Sequence, residues 1–181
     1  MRAGATDESM SAAATPGTGI SAQATIRRAV EGDLPALLEM LAALSVETGY
    51  GDSFCSEIEA LRRYGFGPRP LFRTLIAENA VTSLGMGLYF PEFSTQRGLP
   101  GVYLQDIYLR PEARASGLGR RLLGAIVRDA GDWDAAYLRL AVHADNEGAR
   151  AFYGRLGFLR DPQELPLWIE GPSLAKLGAI E

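Results

Sequence analysis

The feature that most constrains the fold is a strand, a glycine-containing turn and a helix that follow one another directly. Alternating apolar residues predict a strand over Gly101–Leu109, and the segment Leu109–Leu123 then reads LRPEARASGLGRRLL. Gly117 and Gly119 leave the backbone bare where the helix starts, so unpaired N–H groups and the positive end of the helix dipole point outward. With Arg114 and Arg120 beside them, this turn is suited to bind a pyrophosphate.

Hydrophobic patterning predicts that the whole chain alternates between strands and helices. Helices are expected from Asp33 to Leu44 and over Ser56–Tyr64, Gly117–Ala130 and Asn146–Leu156. A Pro/Gly-containing loop is expected over 91–100. The predicted strands are Ala24–Val30, Leu71–Glu78, Thr82–Phe90, Gly101–Leu109, Ala135–Val142, Gly157–Leu159 and Leu165–Ile169. This order indicates a mixed α/β layered fold with one sheet and helices over its faces.

Length and composition limit the domain organisation and the classes of partner. The chain has 181 residues, which suits a single domain over residues 23–181, and its first 22 residues are typical of a disordered tail. A net charge of −4 disfavours nucleic acid and anionic membranes as partners and is compatible with a cationic small molecule. One cysteine and one histidine argue against a metal site. Without a signal-peptide pattern or a membrane-length apolar run, we expect a cytoplasmic protein.

Two common nucleotide-binding motifs do not fit the glycine-containing turn. The glycines do not follow the G-x-G-x-x-G pattern of dinucleotide-binding folds, and no acidic residue is placed for a ribose. A Walker motif needs Lys after the last glycine, whereas Gly119 is followed by Arg120. The turn therefore predicts a different pyrophosphate-containing ligand.

The turn resembles the R/Q-x-x-G-x-G/A signature of the GCN5-related N-acetyltransferases. Residues Arg114–Gly119 carry this signature, and about 30 residues later Asn146–Tyr153 and Leu156–Phe158 resemble the second motif of that superfamily. The resemblance implies the acyl-CoA N-acyltransferase fold. That fold has one mixed, mostly antiparallel sheet of about seven strands, with helices on both faces and a splay between the strands that end at Leu109 and Val142.

Within that superfamily, the chain is most similar to the diamine (spermidine/spermine and thialysine) N-acetyltransferases. The likeness is carried by Gly65-Phe66-Gly67, Ile76-Ala77-Glu78, Leu88-Tyr89-Phe90 and Tyr103–Asp106, and it spans roughly Ile26 to Trp168. It implies a homodimer that uses acetyl-CoA as co-substrate, without a metal, and acetylates a primary amine of a small molecule by direct attack. The acceptor would be a diamine, a polyamine or a lysine analogue. The alternatives are an amino-acid or antibiotic amine acetyltransferase and a non-catalytic acyl-CoA-binding sensor.

The resemblance also implies which residues hold the donor. The backbone of Ile107, Tyr108 and Leu109 would pair with the pantetheine arm like an added strand. Asn146 would bond the pantetheine amide or cap its helix, and Tyr153 would lie near the cofactor. The pyrophosphate would be held by Arg114, Ala115, Ser116, Gly117, Leu118, Gly119 and Arg120.

Amine acetylation also needs groups that move protons. An alkyl ammonium of pKa about 10.4 loses its proton at pH 7 at a cost of roughly 4.6 kcal/mol. Asp106 is the candidate base, directly, with a raised pKa, or through water, although a structural role is also open. Gln105 stands where the family usually has Glu, and strand alternation predicts that it and Asp106 face opposite sides of the sheet. Gln105 can orient the substrate but cannot act as a base. The resemblance assigns Tyr153 as the acid that protonates the departing sulfur.

Overall fold

The computed structural model describes residues 23–180, which divide into two compact units. The first unit extends to Ala141 and the second begins at Val142. The predicted N-terminal tail lies outside the described residues.

The first unit is built on one mixed sheet. Its strands lie in the spatial order β1 to β5, and the first four pair antiparallel while β4 and β5 pair parallel. This confirms the predicted class of a mixed, mostly antiparallel sheet. The strands are β1 Thr25–Arg28, β2 Arg73–Glu78, β3 Ser83–Ser94, β4 Leu99–Leu109 and β5 Leu138–Leu140.

Helices cover both faces of this sheet, as predicted. The first unit contains α1 (Leu34–Glu47), α2 (Ile58–Leu61), which continues as a π-helical turn over Arg62–Phe66, and α3 (Leu118–Asp129). The stripe of apolar residues on α1 packs on one face in a cluster with Ile76, Met86, Leu88 and Tyr108. On the other face, α3 packs closely against β3, because a Cβ at Gly87 would lie 2.7 Å from the Ile126 Cδ1 atom.

The predicted loop over residues 91–100 is wrong. β3 continues to Ser94 and β4 begins at Leu99, so most of this segment extends the β3–β4 hairpin. Side-chain burial alternates along this end of β3, which is the pattern of a strand with one covered face. A turn at residues 95–98 suffices to reverse the chain, with Gly98 in the left-handed region at φ 64°.

The predicted strands Gly157–Leu159 and Leu165–Ile169 do not form, so the sheet of the described residues has five strands instead of about seven. Leu165, Leu167 and Trp168 are more than 80% exposed, so no buried face stabilises a strand there. The second unit is helical instead, with α4 (Glu147–Arg155) and α5 (Gly171–Gly178). Within a residue at each end, α4 confirms the helix predicted over Asn146–Leu156, whereas α5 was not predicted.

Candidate active site

The turn before α3 has a backbone shaped to present N–H groups. Ala115 and Gly117 both lie in the left-handed region, at φ 54° and 86°. The Ser116 hydroxyl donates to the Ala113 carbonyl at 2.6 Å and accepts from the Leu118 N–H at 3.3 Å, which fixes the turn from inside. Alternation of right- and left-handed residues aims successive N–H groups to one side and creates an anion-binding concavity.

Several N–H groups of this turn have no acceptor within residues 23–180. They include the first N–H groups of α3, which no residue of the helix itself can satisfy. Positive charge from the helix dipole adds to them. The turn therefore offers a phosphate several donors without breaking any bond of the fold. These N–H groups belong to Ala115, Ser116, Gly117, Gly119 and Arg120.

The two arginines that flank the turn are placed differently. Arg114 Nη2 binds both carboxylate oxygens of Glu47, at 2.6 and 2.8 Å, and its Nε donates to the Leu109 carbonyl at 2.9 Å. Its guanidinium also lies 5.5 Å from the ring centre of Tyr108. Arg120 is exposed, and in the part of the chain that the structure describes it has no ion-pair partner. Arg120 is thus the flanking charge that can approach an anion freely, while Glu47 holds Arg114.

The edge of β4 next to this turn has unpaired backbone groups. Pairing between β4 and β5 stops at Leu104–Leu140, and the first unit has no further strand beside β4. The Arg110 N–H donates to the Leu84 carbonyl on β3, so the antiparallel pattern turns the peptide groups of Leu109 and Ile107 toward the other edge. This agrees with the β4 side of the predicted splay. The other strand ends at Leu140, not at Val142 as predicted.

A β-bulge decides where Gln105 and Asp106 point. Leu88 of β3 pairs with Asp106, but the next residue, Tyr89, pairs with Leu104, so Gln105 is an extra residue on β4. Such a bulge interrupts the alternation of side chains between the two faces. The prediction that Gln105 and Asp106 face opposite sides is therefore wrong, because both line the same cavity.

That cavity has a volume of about 480 Å³, which is within the range of sites for small molecules. Asp106 is its single charged lining residue, and the other polar side chains are neutral amide or hydroxyl groups. The neutral polar residues are Ser45, Thr48, Tyr50, Ser56 and Gln105, and the apolar residues are Leu41, Leu44, Phe54, Leu61, Leu71, Phe72, Leu88 and Phe90.

Asp106 is well placed to exchange a proton. Its carboxylate accepts no hydrogen bond from the described residues, and burial raises its pKa from 3.8 to about 6. Desolvation disfavours the charged form of a carboxyl group, and no neighbouring cation offsets this. Asp106 therefore titrates close to neutral pH.

Tyr153 is a buried residue of α4, in the second unit. Its ring packs edge-to-face between Phe152 and Phe158, with ring centres 5.2 Å away in both cases. Burial raises the pKa of Tyr153 to about 12, so its hydroxyl keeps its proton at any working pH. Asn146 caps the same helix, because its side-chain oxygen accepts from the Ala149 N–H at 2.9 Å.

Sequence reasoning missed most of the cavity wall. The end of α1 and the segment after it supply Ser45, Thr48 and Tyr50. Residues 91–98, at the far end of the β3–β4 hairpin, contribute no lining residue. No sequence signal indicated that Glu47 pairs with Arg114, since the two lie 67 positions apart.

Residues 23–180 contain neither a cluster of candidate metal ligands nor a helix of membrane-spanning character. Among residues 23–180, no group of three or more His, Cys, Asp or Glu side chains could hold a metal ion. No helix in that range is long and apolar enough to cross a membrane.

Solved structures share this fold over most of the chain. An integron cassette protein from the mobile metagenome of V. cholerae superposes with a TM-score of 0.70 and 19% identity, over 87% of this chain and 99% of that protein. An aminoglycoside acetyltransferase from an uncultured soil metagenomic sample, in complex with trehalose, gives a TM-score of 0.69 and 15% identity, over 83% and 98%. At these identities the likeness establishes the fold alone.

Sequence comparison establishes the family. The profile of the Acetyltransferase (GNAT) family matches residues 38–158. Thialysine N-epsilon-acetyltransferase of Sus scrofa is 34% identical over 86% of this chain and 98% of its own length. The enzyme of the same name from Bos taurus is 34% identical over 84% and 95%. The chain therefore belongs to the acetyltransferase (GNAT) family and is an N-acetyltransferase.

Proposed function

We propose that this protein transfers an acetyl group from acetyl-CoA to a primary amine of a small molecule, the class that includes diamines, polyamines and lysine analogues. One observation carries the proposal. A single segment, β4 followed by the turn into α3, joins the cavity that contains Asp106 to a row of free N–H groups. The relatives named as thialysine N-epsilon-acetyltransferases support a small amine as the acceptor.

The donor would be held almost entirely by backbone groups. The free N–H groups of residues 115–120 suit the pyrophosphate, and Arg120 adds a charge that nothing else in the described range engages. The peptide groups of Ile107 and the N–H of Leu109 would pair with the pantetheine arm in the manner of a β-strand. Acetyl-CoA supplies the thioester whose acyl carbon the amine attacks.

Asp106 would accept the proton of the acceptor ammonium, directly or through water. Its raised pKa reduces the difference between the pKa of the carboxyl group and that of an alkyl ammonium, about 10.4, by about two pKa units. Proton transfer to Asp106 therefore costs about 3 kcal/mol less. The apolar wall of the cavity disfavours the charged form of the amine as well. The two effects act together to release the amine lone pair for direct attack.

Tyr153 would donate to the sulfur as the carbon–sulfur bond breaks, a role that rests on the motif resemblance. With the pKa of Tyr153 at about 12 and an ordinary thiol near 8.5, complete proton transfer is uphill by about 5 kcal/mol. Tyr153 is therefore proposed to act mainly as a strong hydrogen-bond donor to the developing thiolate.

A free-thiol assay tests this function. The purified protein would be incubated with acetyl-CoA and a panel of small amines, amino acids and aminoglycosides. We expect thiol release that depends on a small primary amine. Release only with aminoglycosides, or only with amino acids that lack a side-chain amine, would transfer the assignment to the alternative acceptor classes. Donor binding without release by any amine would indicate an acyl-CoA-binding sensor instead.

We also propose that the protein forms a homodimer and works in the cytoplasm. The second unit exposes eight large apolar side chains among its described residues, and such surfaces commonly mark protein contacts. Light scattering on a sizing column would test the dimer, and a monomer at micromolar concentration would refute it. The exposed residues are Leu159, Leu165, Leu167, Trp168, Ile169, Leu174, Leu177 and Ile180.

A further inference from the structure

Arg114 directly precedes the turn with the free N–H groups, yet its side chain lies against the end of α1. Its Nη2 atom donates to both carboxylate oxygens of Glu47, the last residue of α1, at 2.6 and 2.8 Å. Its Nε atom donates to the Leu109 carbonyl at 2.9 Å, and its guanidinium lies 5.5 Å from the ring centre of Tyr108. The Arg114 side chain therefore joins the end of α1, the end of β4 and the turn before α3.

Glu47 depends on this arginine, because its own helix disfavours a carboxylate at that position. The C-terminal end of a helix carries partial negative charge, which a cation compensates. The last turn of α1 contains no basic residue, and Arg114 supplies the positive charge from 67 positions away in the chain. If Arg114 moved to a phosphate, Glu47 would lose its partner. The free N–H groups of residues 115–120 can bind a phosphate without that cost.

The end of α1 that Glu47 terminates is part of the cavity wall. Leu44, Ser45, Thr48 and Tyr50 all line the cavity. The Thr48 hydroxyl donates to the Leu44 carbonyl at 2.9 Å, and the Tyr50 N–H donates to the Ser45 carbonyl at 2.8 Å. Since these bonds connect the segment internally, a contact that fixes Glu47 also fixes the lining residues on both sides of it.

We propose that Arg114 is a positioning residue for the acceptor. Through Glu47 it holds the end of α1, so a pyrophosphate bound at residues 115–120 also fixes the cavity wall. This inference rests on the proposed function and assigns the Arg114 side chain to the acceptor instead of the phosphate. Donor binding then favours acceptor binding, because a wall that is already ordered loses less entropy when the amine binds. Both side chains of the ion pair are partly exposed, so the effects should be a few-fold in size.

Hydrogen exchange measured by mass spectrometry tests this link, with CoA as the probe so that no turnover occurs. CoA should slow exchange at residues 115–120, where it binds. It should also slow exchange at least threefold at the amides of Thr48 and Tyr50, which are hydrogen-bonded within the end of α1. Glu47→Gln keeps the size of the side chain but removes its charge. This variant should retain the effect of CoA on the turn and lose the effect on α1.

Glu39→Gln is the matched control for the loss of an ion pair. Glu39 also lies on α1 and pairs with an arginine, Arg110, at 2.9 Å, but it does not line the cavity. This variant should therefore retain both effects of CoA.

Calorimetry and kinetics on the same proteins distinguish positioning from phosphate binding. If Arg114 left Glu47 to bind the phosphate, Glu47→Gln would release the arginine and lower the Kd of CoA. We expect this Kd to stay the same or to rise. In the thiol-release assay, Glu47→Gln should raise the KM of the amine at least threefold and leave kcat within twofold, because it alters the cavity wall and not Asp106.

Three results for Glu47→Gln would each overturn the proposal. They are retained slowing of exchange at the end of α1, tighter binding of CoA, and a lower kcat at an unchanged KM of the amine. In the unaltered protein, slower exchange at the turn without slower exchange at α1 would overturn this inference alone. No effect of CoA at either segment would refute the proposed donor site, and this inference with it.

Discussion

Replacing Asp106 by Asn should stabilise the free protein at neutral pH. The carboxylate is buried in the cavity wall, and no cation or hydrogen-bond donor of the described residues compensates its charge. Asn has nearly the same shape and carries no charge. The substitution therefore removes a desolvation penalty that lowers the free energy of unfolding of the native protein.

The size of the effect follows from the shift in pKa. Folding raises the pKa of Asp106 from 3.8 to about 6, which is about two pKa units at 1.36 kcal/mol each. Between these two pKa values the folded state holds a proton that the unfolded state has released. The stability of the native protein therefore falls by up to about 3 kcal/mol as the pH rises from 4 through 6. Asp106→Asn should remove this loss, so its advantage should be near zero at pH 3.5 and close to 3 kcal/mol at pH 8.

Urea unfolding of both proteins between pH 3.5 and pH 8 measures the difference. Asp145→Asn, at an exposed position of the second unit, is the matched control and should leave the free energy of unfolding unchanged. An Asp106→Asn variant no more stable than the native protein at pH 8 would refute the reasoning, as would an advantage that does not grow with pH. The same variant should lose the rise in kcat/KM near pH 6 that titration of Asp106 predicts.

The remaining predictions concern single groups. Tyr153→Phe keeps the ring but removes the hydroxyl, so kcat at saturating acetyl-CoA should fall at least about tenfold, and an unchanged kcat would exclude this residue from the chemistry. Gly117→Ala places a side chain at φ 86° beside the free N–H groups and should raise the calorimetric Kd of acetyl-CoA at least fivefold. Gly98→Ala introduces the same backbone strain at φ 64°, with no atom within 4 Å of the new Cβ. An equal rise in the Kd of acetyl-CoA for Gly98→Ala would show that the effect of Gly117→Ala is not specific to the turn before α3. Thr74→Val removes a buried hydroxyl that has no partner among the described residues. It should raise the free energy of unfolding by about 1 kcal/mol, and a decrease in urea unfolding would contradict that account.

The glycine-containing turn before α3 was largely predictable because its signals are local. Glycines at 117 and 119, followed by residues at helical spacing, indicate a helix start with free N–H groups, and the structure has that turn at the end of a strand. The Asn146 cap and the helix after it were predictable for the same reason. Such features depend on residues within one or two turns of each other, so a single sequence contains them.

The cavity that contains Asp106 was less predictable because it depends on register and burial. Alternation is a sound rule for a regular strand, but the bulge at Gln105 arises from how β3 and β4 pair. The cavity wall combines α1, the segment after it, β3 and β4, which are far apart in the chain. The two predicted strands near the C-terminus do not form for a related reason, because the rest of the described chain does not cover their apolar side chains.

The amino-acid sequence by itself thus determined the family, the layered α/β architecture and the turn that presents N–H groups before α3. Only the tertiary structure decided that Gln105 and Asp106 share one cavity, that Glu47 holds Arg114, and that the pKa of Asp106 lies near 6. The reason is physical. Backbone conformation is set mainly by residues close in the sequence, whereas the pKa and the contacts of a side chain depend on every residue that the fold packs around it.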